Sequence, residues 1–226
     1  MPNVSYTIGN NTIKEIKVVR DLGVLIDSSI SFRAHIDHIV TQSSRLSGFI
    51  NRQMKIFKQP HLTIKMYNTI VRGILEYCSV VWNPSYQVHS DRIERVQKRF
   101  LYSLAFSDNK CQTLKSYDDR LSYYSLEPLQ VRRKVFDVFF AYKLLHGFVD
   151  STNLLERLSF CIPRLSSRLH NRKTFALPLC KTNLGQHTPI YRMTSSCNAI
   201  RAEIDLFSGS KASFKNSLRL LLSGRD

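Results

Sequence analysis

The sequence predicts a mainly α-helical protein: a helical bundle preceded by a β-hairpin, with an irregular C-terminal extension. Three observations carry this. From Ser31 to about residue 147, apolar residues recur at intervals of three and four, the period of a helix with one buried face. Before Ser31 they alternate about a Gly9-Asn10-Asn11 turn. After Asp150, Pro163, Pro178 and Pro189 divide the chain into short extended pieces.

Val4, Tyr6 and Ile8 lie on one side of the turn and Ile13 and Ile16 on the other, as in a hairpin. "VVRDLGVLID", residues 18–27, reads as a further strand with Gly23 inside it. Phe32, Ile36, Ile39, Ser43, Leu46 and Ile50 then form one helical stripe, with Ser31 as N-cap. A second helix starts at Gln59-Pro60, since proline is tolerated in a first helical turn. Its stripe is Leu62, Met66, Ile70, Ile74, Tyr77 and Val81, and it ends before Pro84. A third opens at Asp91, with Ile93, Val96, Phe100 and Leu104 inward and Arg92, Arg95, Lys98 and Arg99 outward. Asp91 and Glu94 resemble a capping box for it.

A short helix around Leu114–Tyr124 precedes one that Pro128 opens and Gly147 closes. That helix carries Val131, Val135, Val138, Tyr142 and Leu145 on one face and Phe136 and Phe140 on another, so it belongs between neighbours. A last helix lies in "SKASFKNSLRLLL", capped near Ser210 or Ser213. Four segments result: 1–29, 30–107, 111–150 and 151–226.

The charge is strongly positive, 33 Lys and Arg against 17 Asp and Glu. No acid occurs from His38 to Leu75, where Arg45, Arg52, Lys55, Lys58, Lys65 and Arg72 stand. None occurs from Arg157 to Ala202, a tract that includes Arg164, Arg168 and Arg172. Long acid-free basic tracts suit a polyanion, whose bound counterions are released by each phosphate contact. The best candidates for such contacts are Arg45, Arg52, Lys55, Arg92, Arg95, Arg99, Arg164, Arg168 and Arg172. They would hold RNA or an RNA–DNA hybrid duplex without reading its sequence.

Enzymatic chemistry is harder to place. Tyr117-Asp118-Asp119 is reminiscent of a polymerase metal site, whose signature is aromatic-x-Asp-Asp on a turn between strands. Here the residue two before Asp118 is Ser116, and Leu114, Leu121 and Tyr124 have helical spacing. Adjacent residues on a helix diverge by about 100°, so the pair reads as non-catalytic, near Arg120 as counter-charge. No phosphate-binding glycine loop, G-x-S-x-G or H-E-x-x-H occurs. Five widely spaced cysteines form neither a disulfide framework nor a zinc pattern, and Cys78 reads as a packing residue. His35 and His38 could ligate a metal, but read as solvated helix-surface residues. No cofactor is expected. No apolar stretch suits a signal peptide or a membrane span, so the expected setting is intracellular, nuclear or cytoplasmic.

"VVRDLGVLIDSSISFRAHID", "MYNTIVRGILEYCSVVWNP" and "DRIERVQKRFL" together resemble the region just after the polymerase palm of non-LTR (LINE-type) retrotransposon reverse transcriptases, the jockey-like elements above all. "YDDRLSYYSLEPLQVRRKVFDVFFAYKLLHG" and "KTNLGQHTPIYR" resemble their C-terminal continuation. "SSCNAIRAEIDLF" departs from that pattern, standing where an Asn-x-Leu-Pro-like segment is expected. The resemblance implies a palm-edge hairpin, thumb-like helices and a C-terminal extension. It assigns RNA-directed DNA synthesis to a parent polyprotein, whose catalytic aspartates lie upstream, and an intact reverse transcriptase becomes a second expected partner. The alternative is a retrotransposon relic or protein-interaction module that exposes a former palm-facing surface including Ile36, Leu46 and Tyr67.

Overall fold

Two hairpins precede the helices in the computed structural model, which describes residues 6–9, 11–12, 16–57, 59–161, 173–200 and 203–224. Strand β1 (Thr7–Ile8) pairs antiparallel with β2 (Asn11–Thr12). Val4 and Ile13 lie outside the described residues. The segment expected to be one strand is a second hairpin, β3 (Val18–Asp21) on β4 (Val24–Asp27). Leu22 and Gly23 make its two-residue turn, with φ of 43° and 86°. Positive φ at both positions matches the twist of paired strands. A leucine at the first of them gives no sequence sign of a turn.

Helix α1 spans Arg33–Phe57 and buries Ile36, Ile39, Ser43, Ile50 and Met54, with Leu46 half-buried. Ser31 Oγ accepts the Arg33 N–H at 3.3 Å. The predicted second helix is three pieces: α2 (Pro60–Met66), a π-turn (Tyr67–Val71) and α3 (Arg72–Glu76). Its buried residues are Thr63, Tyr67, Val71 and Leu75, whereas Leu62, Ile70, Tyr77 and Val81 of the expected stripe are exposed. The buried stripe lies one residue beyond the expected one from Thr63 onward, and the π-turn keeps its steps of four on one face, from Tyr67 to Val71. The backbone then breaks at Cys78, φ 51°, before α4 (Ser79–Trp82).

Helix α5 covers Gln87–Ser107, four residues earlier than expected, and buries Ile93, Val96, Phe100 and Leu104. Tyr67 stacks on Phe100 with ring centroids 4.2 Å apart. Asp91 and Glu94 do not cap α5: its N-cap is Tyr86, with no side-chain cap bond, and Glu94 is buried and bonded elsewhere. Helix α6 is Tyr117–Tyr123. Helix α7 (Leu129–Leu145) starts after Pro128 and ends with Gly147 at φ 68°, the left-handed residue past a helix end.

The C-terminal extension holds more helix than its prolines suggest. After α8 (Thr152–Leu155) and α9 (Asn183–Gln186), α10 runs over Pro189–Ile200 and α11 over Lys211–Ser223. Pro189 is the first residue of α10, where a missing N–H costs nothing. Ser210 caps α11, its side chain accepting the Ser213 N–H at 3.2 Å.

Two apolar clusters result. One joins Val24, α1, the α2–α3 rod, α5 and α6, and ends at Leu129. The other takes Val135, Val138 and Tyr142 of α7 with Met193, Cys197, Phe214 and Leu218 of α10 and α11. Helix α7 thus serves both, and segments 111–150 and 151–226 share one core. Ile36 and Tyr67 are fully buried in the first cluster and Leu46 is half-buried, so Ile36 and Tyr67 are not part of an exposed surface.

Candidate nucleic-acid interface

Helices α1 and α5 lie side by side and point the same way. Asp37 near the start of α1 pairs with Arg92 near the start of α5, while Met54 and Leu104 near their ends line one cleft. Arg45, Arg52, Arg95 and Arg99 are all exposed. Along α1 no acid follows Asp37, and along α5 none follows Glu94. The apolar residues that fix the two helices face the opposite way, so the arginines project from a rigid base.

The remaining predicted contacts divide. Arg92 is drawn onto Asp37 and is less free than its helical position suggested. Lys55 lies in α1, but its side chain is outside the described residues. Arg164, Arg168 and Arg172 also lie outside them. The Tyr-Asp-Asp stretch opens α6. Asp119 accepts the Ser116 N–H at 2.9 Å and Ser116 Oγ accepts the Asp119 N–H at 3.0 Å, a reciprocal cap. That backbone bond, with the Ser116 hydroxyl, draws the Asp119 carboxyl below its ordinary value. Arg120 turns away to the carbonyls of Leu114 and Lys115.

Several single residues correct the sequence reading. His35 is buried, its ring edge-on to Trp82 at 5.1 Å and its Nδ1 facing the Leu25 N–H at 3.4 Å; only His38 is solvated. Cys78 is exposed rather than packed. Among the described residues, no group of three or more His, Cys, Asp or Glu could hold a metal ion. None of the described helices is long and apolar enough to cross a membrane.

Polar residues at the junction of the two clusters escaped the sequence reading. The Glu94 carboxylate accepts the N–H groups of Leu129 and Gln130, both at 3.1 Å, and so caps α7 from a neighbouring helix. Arg132 bonds Glu76 and Glu127. Asp137, buried on α7, accepts from Asn83 at 2.8 Å and Arg192 at 2.9 Å, while Arg133 donates to Asn83 Oδ1 and Ser90 Oγ, each at 3.0 Å. Burial pushes the Asp137 carboxyl up, against the pull of Arg192. A charge on an apolar helical face was the available signal, but Asn83 and Arg192, the partners of Asp137, are 54 and 55 residues away.

Comparison with known proteins adds little. The chain is similar to the uncharacterized protein B0403.1 of Caenorhabditis elegans, 27% identical over 115 residues, or 51% of this chain and 57% of that protein. The match thus spans little more than half the length of that relative. No protein-family model and no solved structure matches the sequence.

Proposed function

We propose that the chain is a sequence-independent nucleic-acid-binding segment of a LINE-type reverse transcriptase. It grips RNA or an RNA–DNA hybrid with the α1–α5 face and leaves DNA synthesis to the catalytic domain of the parent protein. The observation that carries the reading is the set of four exposed arginines, Arg45, Arg52, Arg95 and Arg99, on two parallel helices with a packed interior behind them. None of the four has an ion pair among the described residues. Two turns separate Arg45 from Arg52, about 10 Å along the axis. That is about three steps of a nucleic-acid strand, so the face suits successive phosphates better than one small anion. The sequence resemblance supports the same reading.

Fluorescence anisotropy on an RNA–DNA hybrid across a salt series tests it. Four neutralised phosphates give a log–log slope of about −4. Wild-type protein that does not bind the hybrid at low salt would contradict the proposal.

A further inference from the structure

Helices α7 and α11 build a second basic surface, on elements that the α1–α5 face does not use. On α7, Arg132, Phe136, Phe140 and Lys143 recur along one helical face, with Phe139 at its edge. On α11, Lys211, Lys215 and Arg219 stand four apart. The two stripes run antiparallel against each other. Lys211, at the start of α11, lies 5.2 Å over the ring of Phe148, just past the end of α7, and Lys215 lies 5.4 Å over Phe139. Lys143 lies 5.5 Å over Phe140.

One face of each ring is taken by a cation of α7, Arg132 lying 5.7 Å over Phe136 and Lys143 over Phe140, so a base would stack on the other face or displace the cation. Phe136 and Phe140 are half-buried, and Phe148 is exposed. Phe136, Phe139 and Phe140 border a cleft of about 340 Å³, with Tyr77 and Cys78 on its other wall. Glu76 also borders the cleft, but Arg132 takes its carboxylate. Lys143, Lys211, Lys215 and Arg219 have no ion pair among the described residues. Burial and the repulsion of Arg219, Arg132, Lys143 and Lys211 hold the Lys215 ammonium below its ordinary value. Like charges spaced four apart also weaken the helix that carries them. A cluster of this kind gains a counter-charge only from outside.

We infer that the α7–α11 face binds unpaired nucleotides of a single strand, with bases stacked on Phe136 and Phe140 and phosphates on Lys143, Lys215 and Arg219. Aromatic platforms beside a positive track suit single strands, because every base has a flat face and a duplex keeps its bases stacked inside. The α1–α5 face has a different character, exposed arginines with no aromatic ring beneath them among the described residues. The two sites are independent, and either can fail without the other.

The test uses the full chain and two labelled probes, a 12-nucleotide oligouridine and a 12-base-pair RNA–DNA hybrid. Replacing Phe136→Leu and Phe140→Leu together removes the rings and keeps the apolar bulk. We expect oligouridine affinity to fall at least tenfold, with hybrid affinity unchanged. Replacing Lys143→Gln and Lys215→Gln is expected to flatten the oligouridine salt slope by about 1.4, from about 0.7 per lost contact. Replacing Arg45→Gln and Arg52→Gln should do the converse, weakening the hybrid and sparing oligouridine. Oligouridine affinity within twofold of wild type in the Leu variant overturns the inference, as does equal loss on both probes. An acidic peptide site would give the first of these results, since it needs lysines but not rings. If the Leu variant melts below the assay temperature, the Lys pair decides alone, and an unchanged slope overturns the inference.

Discussion

Arg192 of α10 donates to Asp137 of α7 across 2.9 Å, with side chains only 15% and 1% exposed. The same guanidinium reaches the Val80 carbonyl at 2.5 Å, and Asn83 donates to the same carboxylate. One ion pair therefore ties α10, α7 and the end of α4 together, at the boundary between the two apolar clusters.

Removing one partner of this pair leaves the other charge buried and uncompensated. Arg192→Ala or Asp137→Ala is expected to cost about 3–5 kcal/mol, read as a lower urea midpoint. The double replacement Asp137→Leu with Arg192→Met should recover most of that loss, because apolar residues leave no charge behind. Single variants as stable as wild type would show that the pair is already solvated.

Asp118 and Asp119 are adjacent and both exposed, yet only Asp119 closes the cap on α6. Asp119→Ala should lower Tm at pH 7 and Asp118→Ala should leave it in place. The Asp119 carboxyl is depressed, so its contribution is full above the unfolded value of about 4 and fades as pH falls further. With primer–template and magnesium, no nucleotide incorporation is expected from either variant or from wild type. Incorporation abolished by the double replacement would assign the pair a catalytic role.

His35 makes stability depend on pH. Burial, aided by His38, holds its imidazole below the ordinary value of about 6.5, so the unfolded chain takes up a proton that the folded one resists. Stability is then full above about pH 6.5 and falls as pH drops below it, by up to about 1.4 kcal/mol per unit. His35→Phe should flatten the Tm profile between pH 7 and 5, at the cost of an acceptor for the Leu25 N–H. His89 is depressed by burial, Arg92 and Arg33 and adds a slope of the same sign, so some slope remains. An unchanged profile in the variant would remove His35 as the cause.

Binding and folding should separate cleanly on α1 and α5. Replacing Arg45 and Arg52 with Gln should weaken hybrid binding and flatten the salt slope by about 0.9 per contact, while melting shifts by less than about 0.5 kcal/mol. Phe100→Ala empties the interior stacked against Tyr67 and should cost about 3–5 kcal/mol. Equal binding and slope in the arginine variant would mean that these side chains are merely solvated.

Patterns within one element were legible in the sequence, and relations between elements were not. The helical periodicity gave α1, α5, α7 and α11, and Gly147 and Ser210 marked an end and a start, because those signals lie within a few residues. The basic outer faces of α1 and α5 followed from the same periodicity. Their shared orientation did not, since it depends on how the two helices pack against each other. The buried stripe of the second helix sits one position beyond the expected one, and a π-turn interrupts it, without any unusual residue type. His35 looked solvated on its own helix and Glu94 looked like part of a cap on its own; Trp82 and the start of α7 made them interior. The lysine stripe of α11 acquired meaning only when α7 laid phenylalanines alongside it.

Helix α7 also sets an order in time. Its first turn joins a core complete within the first 129 residues, but Leu144 must wait for Leu218, 74 residues later in the chain. At roughly 5–20 residues per second, synthesis of that interval takes about 4 to 15 s. Until α10 emerges, Val135, Val138 and Tyr142 lack Met193 and Cys197 on a nascent chain whose earlier residues can already be native. The growing polypeptide therefore presents a sticky half-helix that α10 covers first and α11 closes.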